Sequence, residues 1–184
     1  MRRFVILLLV VATSLTAQLS KTSLNTLNPA KPMRIARGTF TDLERRFDGA
    51  LANLGVANDP IDMLGSTRGV YLDGYGVVFT AELSLVISPT LNPFRQTITK
   101  EMATQVHQRK IDRLPALRKA MREMVRTAAT TLVQIPDNQL VVVAVRLAYL
   151  NWEDTTGLPA QILMRVDRRS ALAGDIKDIK EELQ

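Results

Sequence analysis

The chain has 184 residues, of which 46% are hydrophobic and 23% are charged. This length suits one domain with its own core and is too short for two comfortable ones. The absence of cysteine excludes disulfides, thiolate nucleophiles and cysteine-based zinc sites, while the formal net charge of +6 suggests nucleic acid or an anionic surface as a partner.

The N-terminus has the order of residue types found in a secretory signal peptide. Arg2 and Arg3 form a basic start, residues 4–12 carry no charged or strongly polar group, and small and polar residues follow. The apolar run is well short of the ~20 residues that span a bilayer, which favours a signal peptide over residues 1–17 rather than an uncleaved anchor or a buried apolar helix. The sequence therefore predicts export to the periplasm or outside the cell. No transmembrane span is expected in the mature chain, whose charge falls from +6 by two arginines to +4.

The next segment, residues 18–38, is predicted to be a flexible polar linker, because it is rich in Ser, Thr, Asn, Pro and Lys and sustains no apolar period. Thr41 and Glu44 then have the spacing of a capping box. Apolar residues recur every three or four positions after it until Gly55. This pattern predicts an amphipathic helix at the start of a single domain over residues 39–174.

The segment over residues 69–87 contains the clearest strand. From Val77 to Ile87 every odd position is apolar, and the even positions Thr80, Glu82 and Ser84 are polar, as in a half-buried strand. Asp73 and Gly74 just before it form the dipeptide preferred in type I′ hairpins. A hairpin or sharp bend is favoured here, and one long strand with a bulge at the glycines is the alternative.

A long helical segment is predicted over residues 98–134 from its apolar stripe and its basic opposite side. Pro115 removes an amide donor within it, so we expect a kink or a division into two helices there. Residues 140–150 are nearly all apolar, as in an inner strand, and a shorter alternating strand follows the loop over residues 151–159. Residues 175–184 are expected to form a charged tail or a short helix.

These elements predict an α+β fold with two layers, in which a sheet of three or four strands packs against the long, proline-interrupted helical segment. A single crossover helix would make the two long strands parallel. A true break at Pro115 would allow them to be antiparallel.

Unusual residue types gather around the bend before the long strand. Tyr71, Asp73, Tyr75 and Glu82 are therefore the candidate binding residues, and a carboxylate-dependent hydrolase is the alternative if the two acids converge with a third. The ordinary interpretation is a turn aspartate and a glutamate on the solvent face of the strand.

The long helical segment carries a local excess of positive charge. Its candidate contacts to an anionic surface are Arg109, Lys110, Arg118, Arg122 and Arg126. The alternative is a basic face that is merely solvated. The segment from Arg95 to Ala128 contains no Phe, Tyr or Trp on which a base could stack. Nucleic acid is therefore an unlikely partner.

The other residues that could take part in catalysis are one histidine and two neighbouring acids, and their positions suggest no reaction. His107, the one histidine, stands among basic neighbours and is interpreted as a surface residue. Glu153 and Asp154 beside Trp152 are adjacent in sequence and point differently, so we interpret them as polar loop residues rather than a glycosidase pair. No catalytic residue, metal site or cofactor is predicted.

From Ser66 to Glu82 the chain reads STRGVYLDGYGVVFTAE. This segment resembles a family of small exported bacterial proteins of uncharacterised function, which carry a Tyr-Leu-acidic-Gly-Tyr-Gly motif before a strand and a long helix. The resemblance implies an exported envelope protein and supplies no catalytic residues. Together with the residues above, it favours a non-enzymatic binding or assembly domain, whose partner would be another envelope protein or an anionic surface.

Overall fold

The structure is a computed structural model that describes residues 35–56, 59–90 and 97–175, together with the backbone of a strand at residues 179–183. The expected signal peptide and all but the last four residues of the expected linker lie outside the described residues. The elements in chain order are α1 (Arg37–Ala52), β1 (Asp62–Met63), β2 (Arg68–Leu72), β3 (Gly76–Ser84), α2 (Lys100–Thr131), β4 (Leu140–Leu147), β5 (Pro159–Asp167), α3 (Arg168–Ala173) and β6 (Ile179–Leu183).

The strands form one mixed sheet in the order β1-β3-β4-β5-β6, and β2 also pairs with β3. Strands β3 and β4 are parallel, with Val77 opposite Val141, and the other neighbours are antiparallel. The α+β class is confirmed, and so is the parallel pairing expected for a single crossover helix. The sheet has more strands than the three or four predicted. Strand β1 is too short to give a periodic signal, and β6 adds a strand beside β5.

The core lies between one face of the sheet and the helices. The odd positions of β3 and β4 and the even positions of β5 point toward it, so their apolar side chains are buried while the opposite face stays largely open. Helix α2 covers this face with the stripe predicted from its 3.6-residue period. The main core contacts of α2 come from Leu114, Leu117, Met121, Met124, Val125, Ala128 and Ala129.

Helix α1 begins earlier than predicted, and residues 41–44 are not a capping box. Ala36 is the N-cap and supplies no side-chain hydrogen bond, while the Thr41 hydroxyl donates to the Arg37 carbonyl inside the first turns (3.2 Å). The reason is Phe40, which is buried in the core and draws the preceding residues into the helix. The last two residues of the expected linker therefore belong to α1.

Glu44 and Asp48 of α1 contact strand β2 instead. The Gly69 amide donates to the Glu44 carboxylate (2.9 Å), and the Thr67 amide donates to the Asp48 carboxylate (2.7 Å). These amides point away from β3, on the side of β2 that carries no further strand. Helix α1 thus provides acceptors for the outer side of the sheet.

Helix α2 runs through Pro115 without dividing, so of the two expectations for this proline the division into two helices is wrong. Buried side chains hold the helix to the sheet on both sides of the proline, at Leu114 and Leu117. Their packing outweighs the local cost of one missing amide donor, which is about 3 kcal/mol.

The C-terminal part also differs from prediction. Helix α3 begins directly after β5, where the Asp167 carboxylate accepts a hydrogen bond from the Ser170 amide (2.8 Å), and it ends at Gly174 with a positive φ of 80°. Residues 179–183 then pair with β5 as an antiparallel strand rather than forming a tail or a helix. The interior strands also end three residues earlier than predicted, at Ser84 and Leu147.

Candidate functional site

The bend over residues 71–76 connects β2 to β3 and fastens this hairpin to the start of β4. The Tyr75 amide donates to the Leu72 carbonyl (3.0 Å), and the Leu140 amide donates to the Tyr75 carbonyl (2.9 Å). Gly74 has a φ of 73°, and no described residue other than glycine has a positive φ. The hairpin is therefore confirmed, but its turn is not the type I′ turn predicted from Asp73 and Gly74, which needs two positive φ angles.

Tyr71 and Asp73 have ordinary structural contacts at this bend. The Tyr71 hydroxyl donates to the Gln139 amide oxygen (3.0 Å) just before β4, and its second contact, to Asp73 at 3.5 Å, is at the limit of a hydrogen bond. Tyr75 is exposed at the tip. This end of the sheet joins two connections, and an open polar hollow of about 480 Å³ lies at it, lined by Asp137, Asn138, Asp167, Arg169 and Ser170 rather than by the bend residues.

Glu82 lies at the other end of β3 from Asp73. Gly76 and Glu82 are six residue steps apart along the strand, which is roughly 20 Å. Glu82 stands on the open face of the sheet beside Arg146 (3.8 Å). The structure therefore brings Tyr71, Asp73 and Tyr75 together and leaves Glu82 apart, so the two acids do not form the pair that the hydrolase hypothesis requires.

The five basic residues of α2 do not form one cationic face. Arg109 and Arg118 are nine residues apart, so they lie about 180° apart around the helix. Arg109 contacts Asp59 (3.2 Å) and Arg126 contacts Glu123 (2.8 Å), while Arg122 is half-buried. The prediction that Lys110 contacts an anionic surface is wrong, because its side chain is only 1% exposed.

Lys110 instead forms a buried ion pair with Glu153 of the loop between β4 and β5, whose side chain is 2% exposed. The Lys110 ammonium also donates to the Ala148 carbonyl (3.4 Å) and lies 4.7 Å from the centre of the Tyr149 ring. The ammonium therefore has two hydrogen-bond acceptors and one aromatic ring around it. Lys110 is held in place, and its burial keeps it away from an anionic surface.

Local sequence explains how the loop reaches Lys110. Ala148 and Tyr149 directly follow β4, and the Tyr149 hydroxyl donates across the base of the loop to the Pro159 carbonyl (2.7 Å). Asp154 accepts a hydrogen bond from the Thr156 amide (2.9 Å), and the carbonyl of Asp154 lies 2.8 Å from Nδ1 of His107. His107 and Lys110 are one helical turn apart, so a single turn of α2 holds the whole loop.

Burial controls the ionisation of this cluster. Removal from water lowers the pKa of Lys110 below its ordinary value, and the hydrogen bond and charge of Glu153 oppose this shift. Burial and the Glu153 charge both raise the pKa of Tyr149 above its ordinary range. The Tyr149 hydroxyl therefore stays neutral and serves as a donor at physiological pH.

One oxygen of Glu153 has no hydrogen-bond partner within the part of the chain that the structure describes. Among the described residues, only Glu153 Oε1 and Thr67 Oγ1 are buried side-chain polar atoms without a partner. A buried acceptor without a donor costs about 1–3 kcal/mol, and more when it is charged. Such an atom calls for an explanation other than packing.

Glu153 lines a cavity of about 120 Å³ at the carboxyl ends of the parallel strands β3 and β4. In α/β sheets, the carboxyl ends of parallel strands are a common place for ligand sites. The wall combines two carboxylates, three aliphatic hydroxyls and an apolar part. Its residues are Asp62, Leu64, Ser84, Val86, Ser88, Thr90, Ala148, Tyr149, Leu150 and Glu153.

Three larger hollows lie elsewhere on the described residues. A groove of about 390 Å³ lies between α1 and α2 and is mainly apolar, with Phe47 and Met124 in its wall. A shallow hollow of about 380 Å³ lies on the open face of the sheet, where Glu82 and Arg146 face each other, and the open polar hollow of about 480 Å³ lies beside Asp137. None of these walls contains a buried side-chain polar atom that lacks a partner within the described residues. The cavity beside Glu153 is therefore the best candidate site.

The sequence does not indicate this site through Lys110 or Glu153. It favours a polar loop position for Glu153, and it places Lys110 among the basic residues of the long helix. One signal for Lys110 was available, because it is spaced at four residues from both Val106 and Leu114 on the buried stripe of α2. The loop conformation that brings Glu153 back to that stripe gives no sequence signal.

Within residues 35–56, 59–90 and 97–175, no group of three or more His, Asp or Glu side chains is arranged to hold a metal ion. No helix in the same ranges is both long and apolar enough to cross a membrane.

Comparisons with protein-family models, with curated proteins and with solved structures gave no match to this chain.

Proposed function

We propose that this chain is an exported, non-enzymatic domain of the cell envelope that binds a small ligand in the cavity at the carboxyl ends of β3 and β4. The cavity itself carries this proposal, because it opens at the carboxyl ends of two parallel strands and combines the polar side chains of Asp62, Ser84 and Ser88 with an apolar wall.

Binding is favoured over catalysis by the state of the charged groups. Lys110 is committed to Glu153, to the Ala148 carbonyl and to the ring of Tyr149, so it is not available as a base or a nucleophile. Binding is also favoured over adsorption to an anionic surface, since Lys110 is buried and Arg109 and Arg126 have acidic partners.

Export is supported by the N-terminal sequence. A basic start, nine residues without charge and a small-residue region give the order of a signal peptide, and the resemblance of residues 66–82 to exported bacterial proteins agrees with it. Expression of the full chain in a bacterial host, followed by fractionation, tests this part. Recovery of the uncleaved chain in the cytoplasm would contradict it.

The binding site is tested with a panel of small amines, polyols, amino acids and carboxylic acids in a thermal-shift assay. A ligand at 100 times its Kd stabilises the native state by about 2.7 kcal/mol, which raises Tm by several degrees. We expect Asp62→Asn and Ser84→Ala to weaken the shift. The control Asp73→Asn changes an acid at the bend, at the opposite end of β3, and should leave it unchanged. Loss of the shift in the control alone would place the site at the bend instead.

A further inference from the structure

The face of the sheet opposite α2, which is open within the described residues, carries a band of apolar side chains. Val70 of β2 lies opposite Val78 of β3, and Val78 lies opposite Val142 of β4. Val70 and Leu72 are 50% and 45% exposed, and Val142 lies outside the main core cluster. The residues of this open-face band are Val70, Leu72, Val78, Leu140, Val142 and Leu163.

A solvated sheet face does not account for the band. Strands in parallel pairs are usually covered on both faces, and a strand with one solvated face normally alternates apolar and polar residues. Strand β4 pairs in parallel with β3, and its first six residues, 140–145, are all apolar. This composition fits a strand with a covering layer on each face, and α2 covers only one of them. The open-face band therefore marks an interaction surface.

A cation without an acidic partner stands on each side of the band. Arg165 of β5 lies opposite Val142, and Arg68 precedes Val70 by two residues, so both arginines belong to the open face. Both side chains are exposed, and neither forms an ion pair with a described residue.

The acids on this face of β3 and β5 already have partners. Glu82 stands beside Arg146 (3.8 Å), and the carboxylate of Asp167 accepts from the Ser170 amide (2.8 Å) at the start of α3. The two arginines beside the band therefore require negative charge from another molecule.

The spacing of the two arginines fits a helix between them. Arg68 and Arg165 are three strand spacings and two residue steps apart, which places their Cα atoms roughly 16 Å from each other. An α-helix with its side chains is about 10–12 Å wide. A helix on the open-face band would thus have one arginine at each of its margins.

From these features we infer that the open-face band binds an amphipathic helix of another protein, whose apolar stripe is flanked by Asp or Glu on both sides. A second copy of this chain fits less well, because two open faces would bring unpaired arginines together. Residues 18–34 fit no better, since they contain three basic residues and no acid. The band shares no residue with the cavity at the carboxyl ends of β3 and β4, so this inference is independent of ligand binding there.

The test uses two synthetic helical peptides of about 18 residues, which is longer than the band. Both have the same leucine stripe, flanked by glutamate in one peptide and by lysine in the other. Each is titrated by NMR and fluorescence anisotropy into the chain as recovered from expressing cells. We expect the glutamate peptide to bind roughly tenfold more tightly or better, because the lysine peptide places like charges beside Arg68 and Arg165. Resonances of Val70, Val78 and Val142 should shift, and added salt should weaken binding.

Charge reversal locates the binding. The double variant Arg68→Glu with Arg165→Glu changes two exposed side chains, should leave the fold intact, and is expected to bind the lysine peptide more tightly than the glutamate peptide. The matched control is Arg46→Glu with Lys119→Glu, which makes the same change of charge at exposed positions on α1 and α2. The control should keep the preference of the unchanged chain.

Several results would overturn the inference. They are equal affinity for the two peptides, binding of neither peptide, shifts confined to α1 and α2, or a preference that the control pair reverses as well. Sedimentation of the chain alone tests the second copy as occupant. A dimer that Val70→Asp dissociates would assign the band to self-association and overturn the inference, whereas a monomer at the concentrations of the titration supports it.

Discussion

The parallel pair β3–β4 has two ends that use polar residues in different ways. At the amino end of the pair, Tyr71, Asp73 and two glycines turn the chain and join the hairpin to Leu140. At the carboxyl end, Lys110 and Glu153 are buried together beside a cavity, and one carboxylate oxygen is left without a partner among the described residues. The first end has the tyrosine, aspartate and glycine residues that stand out in the sequence. The second end has the buried charged pair, which packing alone does not explain.

The difference teaches that residue type is a weaker indicator of a site than the satisfaction of buried groups. Tyrosine, aspartate and glycine at the bend are each accounted for by a hydrogen bond, a turn or a close backbone approach. The ion pair at the carboxyl end is not accounted for in this way, because a charged pair in a core is often no more stable than an apolar replacement. The following predictions test the contrast, from the largest expected effect to the smallest.

The largest effect is expected for Gly76→Ala at the amino end. Gly76 has a φ of 136°, and an added Cβ would collide with the backbone of Leu140, including its carbonyl oxygen. We expect a loss of about 4 kcal/mol or more in the free energy of unfolding, measured by chemical denaturation. The control is Gly74→Ala, whose site is open and whose φ of 73° should cost about 1–2 kcal/mol. Equal losses in the two variants would contradict a steric role for Gly76.

At the carboxyl end, Lys110→Met leaves the Glu153 carboxylate buried without its cation. We expect a destabilisation of about 3–5 kcal/mol. Adding Glu153→Leu should restore most of it, since the second substitution removes the uncompensated charge. Urea unfolding of both single variants and the double variant gives the coupling energy. A double variant as unstable as Lys110→Met would show that lost packing, and not the uncompensated charge, causes the destabilisation.

A smaller effect is expected for Tyr71→Phe, which removes the hydroxyl bound to Gln139. The loss should be about 0.5–1.5 kcal/mol, as for one ordinary hydrogen bond. Asp73→Asn should change stability by less than about 0.5 kcal/mol, because Asp73 is exposed and its 3.5 Å contact is weak. If either variant abolished ligand binding in the panel with its stability intact, the bend would be a site after all.

The smallest effect is a pH dependence carried by Lys110. Burial lowers its pKa in the folded chain below the ordinary 10.5, so between the two values the unfolded chain binds more protons. The free energy of unfolding should therefore rise with pH across this window, and this gain is absent below the folded pKa. The slope is measured against the double variant below about pH 9, where a tyrosine with the ordinary pKa of 10.0 stays protonated even when unfolded. A slope of zero or of opposite sign relative to that variant would be contrary to the prediction.

Much of the fold is predictable because its elements have strong periods. The alternation from Val77 and the stripe through Leu117 and Met121 predict β3 and α2, and the single crossover then predicts parallel strands. Local signals failed where distant packing outweighed them. Burial of Phe40 moved the start of α1, and the packing around Pro115 kept α2 whole.

The candidate site was less predictable, because it depends on a loop that meets a helix more than 40 residues away along the chain. The ion pair of Lys110 and Glu153 spans 43 residues. A lysine in phase with buried residues indicates that a partner is needed, but the identity of Glu153 follows only from the turn around Tyr149 and Asp154. A carboxylate lacking one hydrogen bond becomes visible only when every neighbour is placed.

The carboxylates of Glu44 and Asp48 on β2 have a further consequence for the behaviour of the protein in concentrated solution. The amides of Thr67 and Gly69 are the donors that a strand from a neighbouring molecule would use to extend the sheet. Two acids occupy them, so an incoming strand would meet both a filled hydrogen-bonding position and a negative charge. Helix α1 thus covers this part of the sheet edge and leaves these two amides unavailable to a strand from another molecule.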